Sequence, residues 1–183
     1  MTRNHVLSGD GSGNNCHLIA MSLLGWCQWL EHTPFAFAIA ESTWLFTLLE
    51  GSHILALPVS VGMILLVDLR LLGLAFRGSP ASRIFIEVLR WSTPGFALVF
   101  ITGGLLFVAH AGEAYGNAFF RVKLMFLVLL GINAALYQTV FYPRMAEWDR
   151  ARTTPVGAKL CAGLSLIAWI TVIVCGRTMA YQL

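Results

Sequence analysis

Charged side chains are scarce in this sequence: they make up 11% of its 183 residues, against 57% hydrophobic. An ordinary soluble domain carries roughly 25% charged residues, so this chain lacks the groups that would wet its own surface. A self-contained aqueous enzyme domain is thereby excluded. Cysteine is also sparse, and Cys16, Cys27, Cys161 and Cys175 form no CxxC pair. Cys161 and Cys175 lie in an apolar stretch and read as small hydrophobes. Cys16 and Cys27 have a spacing that permits a bridge in an oxidising compartment. The patterns GxxxxGK[ST], HExxH and GxSxG are missing, so no phosphate-loop, peptidase or hydrolase signature is present. The basic excess is small, a net +3. It falls largely in two segments, which is a pattern of membrane orientation and not of nucleic-acid binding.

What the chain has in plenty is long apolar runs, and its mean hydropathy is +0.73. A bilayer core about 30 Å thick needs roughly 20 apolar residues in a helix. Four segments qualify. Residues 51–67, extended upstream by 44–49, are bounded by Glu50 and Asp68; residues 91–112 contain no Asp, Glu, Lys or Arg. Residues 122–142 hold a single charge, Lys123, and residues 160–176 are closed by Lys159 and Arg177. The expected fold class is all-α, a polytopic membrane four-helix bundle. Residues 18–30 are apolar but short and rich in tryptophan, which suits an interfacial or re-entrant helix. The expected organisation is a polar N-terminal arm (1–17), an interfacial or re-entrant segment (18–42) and a four-helix transmembrane domain (43–183).

Orientation follows from the basic residues. Arg70, Arg77, Arg83 and Arg90 lie between the first two spans, and Arg144, Arg150, Arg152 and Lys159 between the last two. Eight of the twelve lysines and arginines thus mark one face, which the positive-inside rule places in the cytoplasm. Both termini are then expected on the other side, the periplasm of a bacterial inner membrane. Ser79-Pro80 and Thr154-Pro155 read as turn or helix-start signals within the basic loops.

Two histidines belong to spans. Counting from Asp68, His53 lies about 22 Å up the first helix; counting from Arg90, His110 lies about 30 Å up the second. They fall within about two helical turns of each other in depth, roughly the arrangement by which two helices grip one haem iron. Haem b with His53 and His110 as axial metal ligands is therefore one reading, Gly103 leaving room for a flat macrocycle. The bland reading makes His53 a hydrogen-bonded bundle residue and His110 an interface residue. Ser52, Ala56 and Ser60 form a small-residue stripe that permits close helix contact.

A carboxylate at the depth of Glu50 is costly unless paired, so an ion pair between Glu50 and Lys123 is expected, with a proton relay through Glu50 and His53 as the alternative. Asn133 is expected to hold helices together. Asp68 and Arg70 are expected at the membrane interface, in a salt bridge or headgroup contact. Cys16, His17, Met21, Cys27 and His32 include ligand types suited to copper. Trp26, Trp29, Trp44 and Trp91 read as interfacial anchors.

Several of these residues also carry a resemblance. Glu50-x-x-His53, Asp68-Leu69-Arg70-Leu71-Leu72-Gly73, Thr102-Gly103-Gly104-Leu105-Leu106-Phe107, Phe120-x-x-Lys123-Leu124 and Asn133 resemble an uncharacterised family of bacterial four-span membrane proteins, over roughly residues 34–142. More distantly the chain is similar to copper-resistance membrane proteins. The resemblance implies the four-helix topology and singles out Glu50, His53 and Lys123, but not His110. Little polar surface outside the bilayer leaves small room for a catalytic site. The expectation is a small membrane subunit of an electron-transfer or energy-converting complex, with lipid, other membrane subunits and a quinone as partners. The alternatives are a non-redox anchor and a small transporter or copper-handling protein.

Overall fold

The computed structural model describes residues 23–150 and 154–181, and among these every regular element is helical. Residues 23–31 form α1, followed by α2 (Pro34–Glu41), α3 (Thr43–Leu57), α4 (Met63–Leu72), α5 (Ala81–Ala109), α6 (Ala111–Gly116), α7 (Ala118–Leu136), α8 (Met145–Arg150) and α9 (Val156–Ala180). A π-helical turn, Pro58–Gly62, joins α3 to α4, and a second, Tyr137–Phe141, extends α7. Four helices are long and apolar enough to cross a membrane: Thr43–Leu72, Ala81–Ala109, Ala118–Asp149 and Val156–Met179. The chain is a multi-pass membrane protein. Spans one, three and four run longer at both ends than the apolar segments of the sequence, whereas the second begins ten residues earlier, at Ala81, and ends three residues sooner, at Ala109.

Local chemistry explains most boundaries. Gly73 sits at φ 74°, and its N–H closes on Arg70 and Leu69 carbonyls, a left-handed stop that ends the first span. Thr33 and Ser42 accept from the backbone N–H groups of Ala36 and Leu45, capping α2 and α3. Pro80 and Pro155 immediately precede α5 and α9, as their sequence context predicts. The N-terminus of α5 is capped from a distance. Asp149 of α8 accepts hydrogen bonds from the N–H groups of Ala81 (2.7 Å) and Ser82 (2.9 Å) and from the Ser82 hydroxyl (2.6 Å). At the opposite end, Glu31 of α1 accepts from the Gly112 N–H at 2.9 Å. Asp149 thus pins α8 to the second span, and Glu31 pins α1 to α6, which follows that span.

Of the segment 18–42, residues 23–42 are described and form two short helices. α1 and α2 are each too short to cross a bilayer, and α2 buries Ala36 and Ile39 while packing on α5. Residues 1–17 and Cys16, His17 and Met21 lie outside the described residues, so the Cys16–Cys27 bridge and most of the copper-type set do too. Among the described residues no three metal-ligating side chains gather.

The spans pack in the order second, first, fourth, third. α5 lies against α3 and α4, α4 against α9, and α9 against α7. Spans one and two cross closely at Gly95, where a Cβ would stand 3.0 Å from the Ser60 backbone nitrogen. The small-residue stripe is thus used for helix contact at Ala56 and Ser60, both buried. Large side chains such as Leu55, Phe100, Val128 and Leu160 point outward and are well exposed, as lipid-facing positions are. Spans two and three make little backbone contact among the described residues and meet instead through aromatic pairs at their ends. Phe107 stacks on Phe120 at 5.2 Å near one end, and Phe85 meets Tyr137 (5.8 Å) and Tyr142 (5.0 Å) near the other. Between these pairs the bundle has a side opening.

Candidate functional site

Two polar layers cross the bundle, about 22 Å apart by the fifteen residues from His53 to Asp68. The layer farther from the arginine-rich end centres on His53. Its Nδ1 lies 2.9 Å from the Thr102 hydroxyl, which itself sits 2.7 Å from the Leu98 carbonyl. A hydroxyl has one proton to give. Given to Leu98, it leaves the Thr102 oxygen to accept from His53 Nδ1–H, which sets the ring's tautomer. The imidazole rests directly on Gly103, where a Cβ would stand 3.0 Å from Cε1. The room that Gly103 provides is therefore filled by His53 itself.

His110 is not part of that layer. It is the C-cap of α5 and lies eight residues beyond Thr102, about 12 Å along the helix axis. Its ring packs edge-on against Phe46 at 5.4 Å. The depth offset agrees with the two turns counted from sequence, but the rings face different neighbours, and two axial ligands must reach one iron from opposite sides. With His53 seated on Gly103, the residues as placed do not fit a haem held between His53 and His110. The expected ion pair does not form either. Glu50 is exposed on α3, whereas the Lys123 ammonium lies beside α9, 3.5 Å from where a Cβ on Gly176 would be.

The second layer holds Asp68, and here the structure corrects the interfacial reading. Asp68 is only 5% exposed, inside the bundle, while Arg70 donates from Nε to the Ser79 carbonyl at 2.9 Å. The Ser165 hydroxyl hydrogen-bonds the Asp68 carboxylate, but Oδ2 has no partner among the described residues. The hydroxyl of Tyr137, a residue 7% exposed, is likewise buried and without a partner. Both side chains line one cavity of about 240 Å³, shared with Ser92, Asn133, Cys161 and Trp169. Asn133 donates from Nδ2 to the Cys161 carbonyl at 3.0 Å, joining spans three and four as its mid-span position predicts.

Leaving a buried donor or acceptor unmet costs on the order of 1–3 kcal/mol, and more for a charged group. Two residues with such an atom, lining one cavity, mark a place suited to something polar. Tyr137 also opens a π-helical turn, a local distortion frequent at functional sites. Sequence reading missed this site because Asp68 stands at the end of an apolar run. The signal was Gly73: a helix stop there puts Asp68 five residues, about 7.5 Å, inside the helix.

No curated protein and no solved structure matches the chain. Residues 26–182 match the family described as "Family of unknown function (DUF6644)", and the chain belongs to that family.

Proposed function

We propose that this protein is a small ion-handling membrane protein in which Asp68 takes up and gives up a proton or cation inside the bundle. The observation that carries this reading is that Asp68 and Tyr137, each with a buried oxygen that has no partner among the described residues, line one cavity inside the bundle. An ionisable group in a span is expensive, by roughly 2.5–3.5 kcal/mol on insertion scales, and such groups line ion and substrate pathways. The cavity has no lysine, arginine or histidine in its lining. The carboxylate charge must therefore be met by a proton or by a cation that enters.

The positive-inside rule supports an orientation with the Asp68 end towards the cytoplasm and the His110 end towards the periplasm of a bacterial inner membrane. An electron-transfer subunit with haem b and a quinone partner would need another pair of ligands than His53 and His110. The reading is tested by infrared spectroscopy of the reconstituted protein. A protonated-carboxyl band should appear at low pH, vanish reversibly at high pH and be missing in Asp68→Asn. A spectrum in which Asp68→Asn changes nothing would overturn it.

A further inference from the structure

The lining of the Asp68 cavity says what kind of cation it suits. Its acidic group is single and uncompensated: span two contributes Ser92 and Thr93, span three Asn133 and Tyr137, span four Cys161 and Ser165, none of them basic. The titratable groups facing Asp68 are therefore Tyr137 and Cys161. Neither can act as a counter-cation.

The walls are aromatic. Phe85, Phe96, Tyr137 and Trp169 all line the cavity, and Phe96 and Trp169 pack on each other with ring centroids 5.7 Å apart. Aromatic faces attract cations, most strongly when both are desolvated. A metal ion would find one carboxylate and the neutral oxygens of Ser92, Thr93, Asn133, Tyr137, Gln138 and Ser165, but it would gain nothing from the apolar walls, whereas an organic cation has an apolar body that the rings can cover.

The mouth opens sideways. Leu89 and Thr93 of span two and Ala134 and Gln138 of span three border the cavity and are exposed, in the gap that the end aromatic pairs leave between those spans. An occupant entering there comes from the bilayer and must be soluble in it. Size agrees as well: the cavity of about 240 Å³ exceeds the roughly 150 Å³ that suffices to hold a benzene ring.

We infer that the chamber admits a lipophilic organic cation, an ammonium with an aromatic or alkyl body, which sets its charge on Asp68 and its body among Phe85, Phe96 and Trp169. The inference rests on the reading of Asp68 as the ion-loading group and adds the ligand class. In the exchange, the Asp68 O–H bond breaks and its proton leaves to water. The ammonium is then held by charge and ring contact, and no covalent bond forms.

The test uses the full chain in lipid nanodiscs, titrated calorimetrically in weak buffer with benzyltrimethylammonium and with neopentylbenzene, its uncharged carbon isostere. The expected result is saturable binding of the cation and release of up to one proton per cation bound. Binding should weaken about tenfold or more in Asp68→Asn, and neopentylbenzene should not compete. Equal binding by Asp68→Asn, or equal competition by neopentylbenzene, would overturn the inference. Should Asp68→Asn not fold, Ala134→Trp carries the test. It plugs the lateral mouth and should abolish cation binding while keeping the Asp68 infrared band, and unchanged binding would contradict entry from the bilayer. If no cation binds but the Asp68 band still titrates, the ligand class is wrong and the ion-loading reading stands; if neither occurs, both fall.

Discussion

The His53 layer and the Asp68 layer are both polar, both within the bundle, and treat their polar groups in opposite ways. Around His53, Nδ1 is met by Thr102, the Thr102 hydroxyl by Leu98, and the space above Gly103 is filled by the ring itself. Around Asp68 two oxygens are left unmet and a cavity is left open. Polarity in a span is therefore a poor guide to a site. In lipid a closed hydrogen-bond chain is helix glue, whereas an unmet group with room beside it points to an occupant.

The contrast can be broken or sharpened by substitution, with stability followed by denaturant or thermal unfolding in detergent. The largest effect is expected from Gly103→Val, whose side chain would collide with the His53 ring, at about 1–3 kcal/mol. Combining it with His53→Ala should cost less than the sum of the two, because the clash is removed. Additive costs would show that the ring does not sit on Gly103. Next, Asp149→Ala removes the cap of α5 and should cost about 1–2 kcal/mol without altering the Asp68 infrared band. Asn133→Ala breaks the bond to the Cys161 carbonyl and should cost about 1 kcal/mol. His110→Ala, at a helix end against Phe46, should change stability by no more than about 0.5 kcal/mol. A larger loss there would mean that His110 does more than cap and pack.

The four spans were legible because bilayer thickness dictates length and the sequence supplies four runs to match. Pro80, Pro155 and Asn133 also read correctly, since each acts through its own backbone geometry or its depth in a helix. What could not be read was which helix neighbours which. The pairing of Glu50 with Lys123 assumed that equal depth means contact, yet Lys123 turns to α9 and Glu50 faces outward. Gly103 was rightly seen as a gap, but nothing along one helix says whose side chain fills it. Asp68 was misplaced for a different reason: an acid at the end of an apolar run looks like its boundary until the glycine stop beyond it is counted.

The native cysteines offer the most direct comparison of the two layers. Cys161 lines the Asp68 cavity, whereas Cys175 lies buried in the half of the bundle that holds Lys123. In variants keeping one or the other, a small membrane-permeant methanethiosulfonate should modify Cys161 faster than Cys175. Benzyltrimethylammonium should slow only the Cys161 reaction. Equal rates, or faster modification of Cys175, would contradict the open cavity at Asp68.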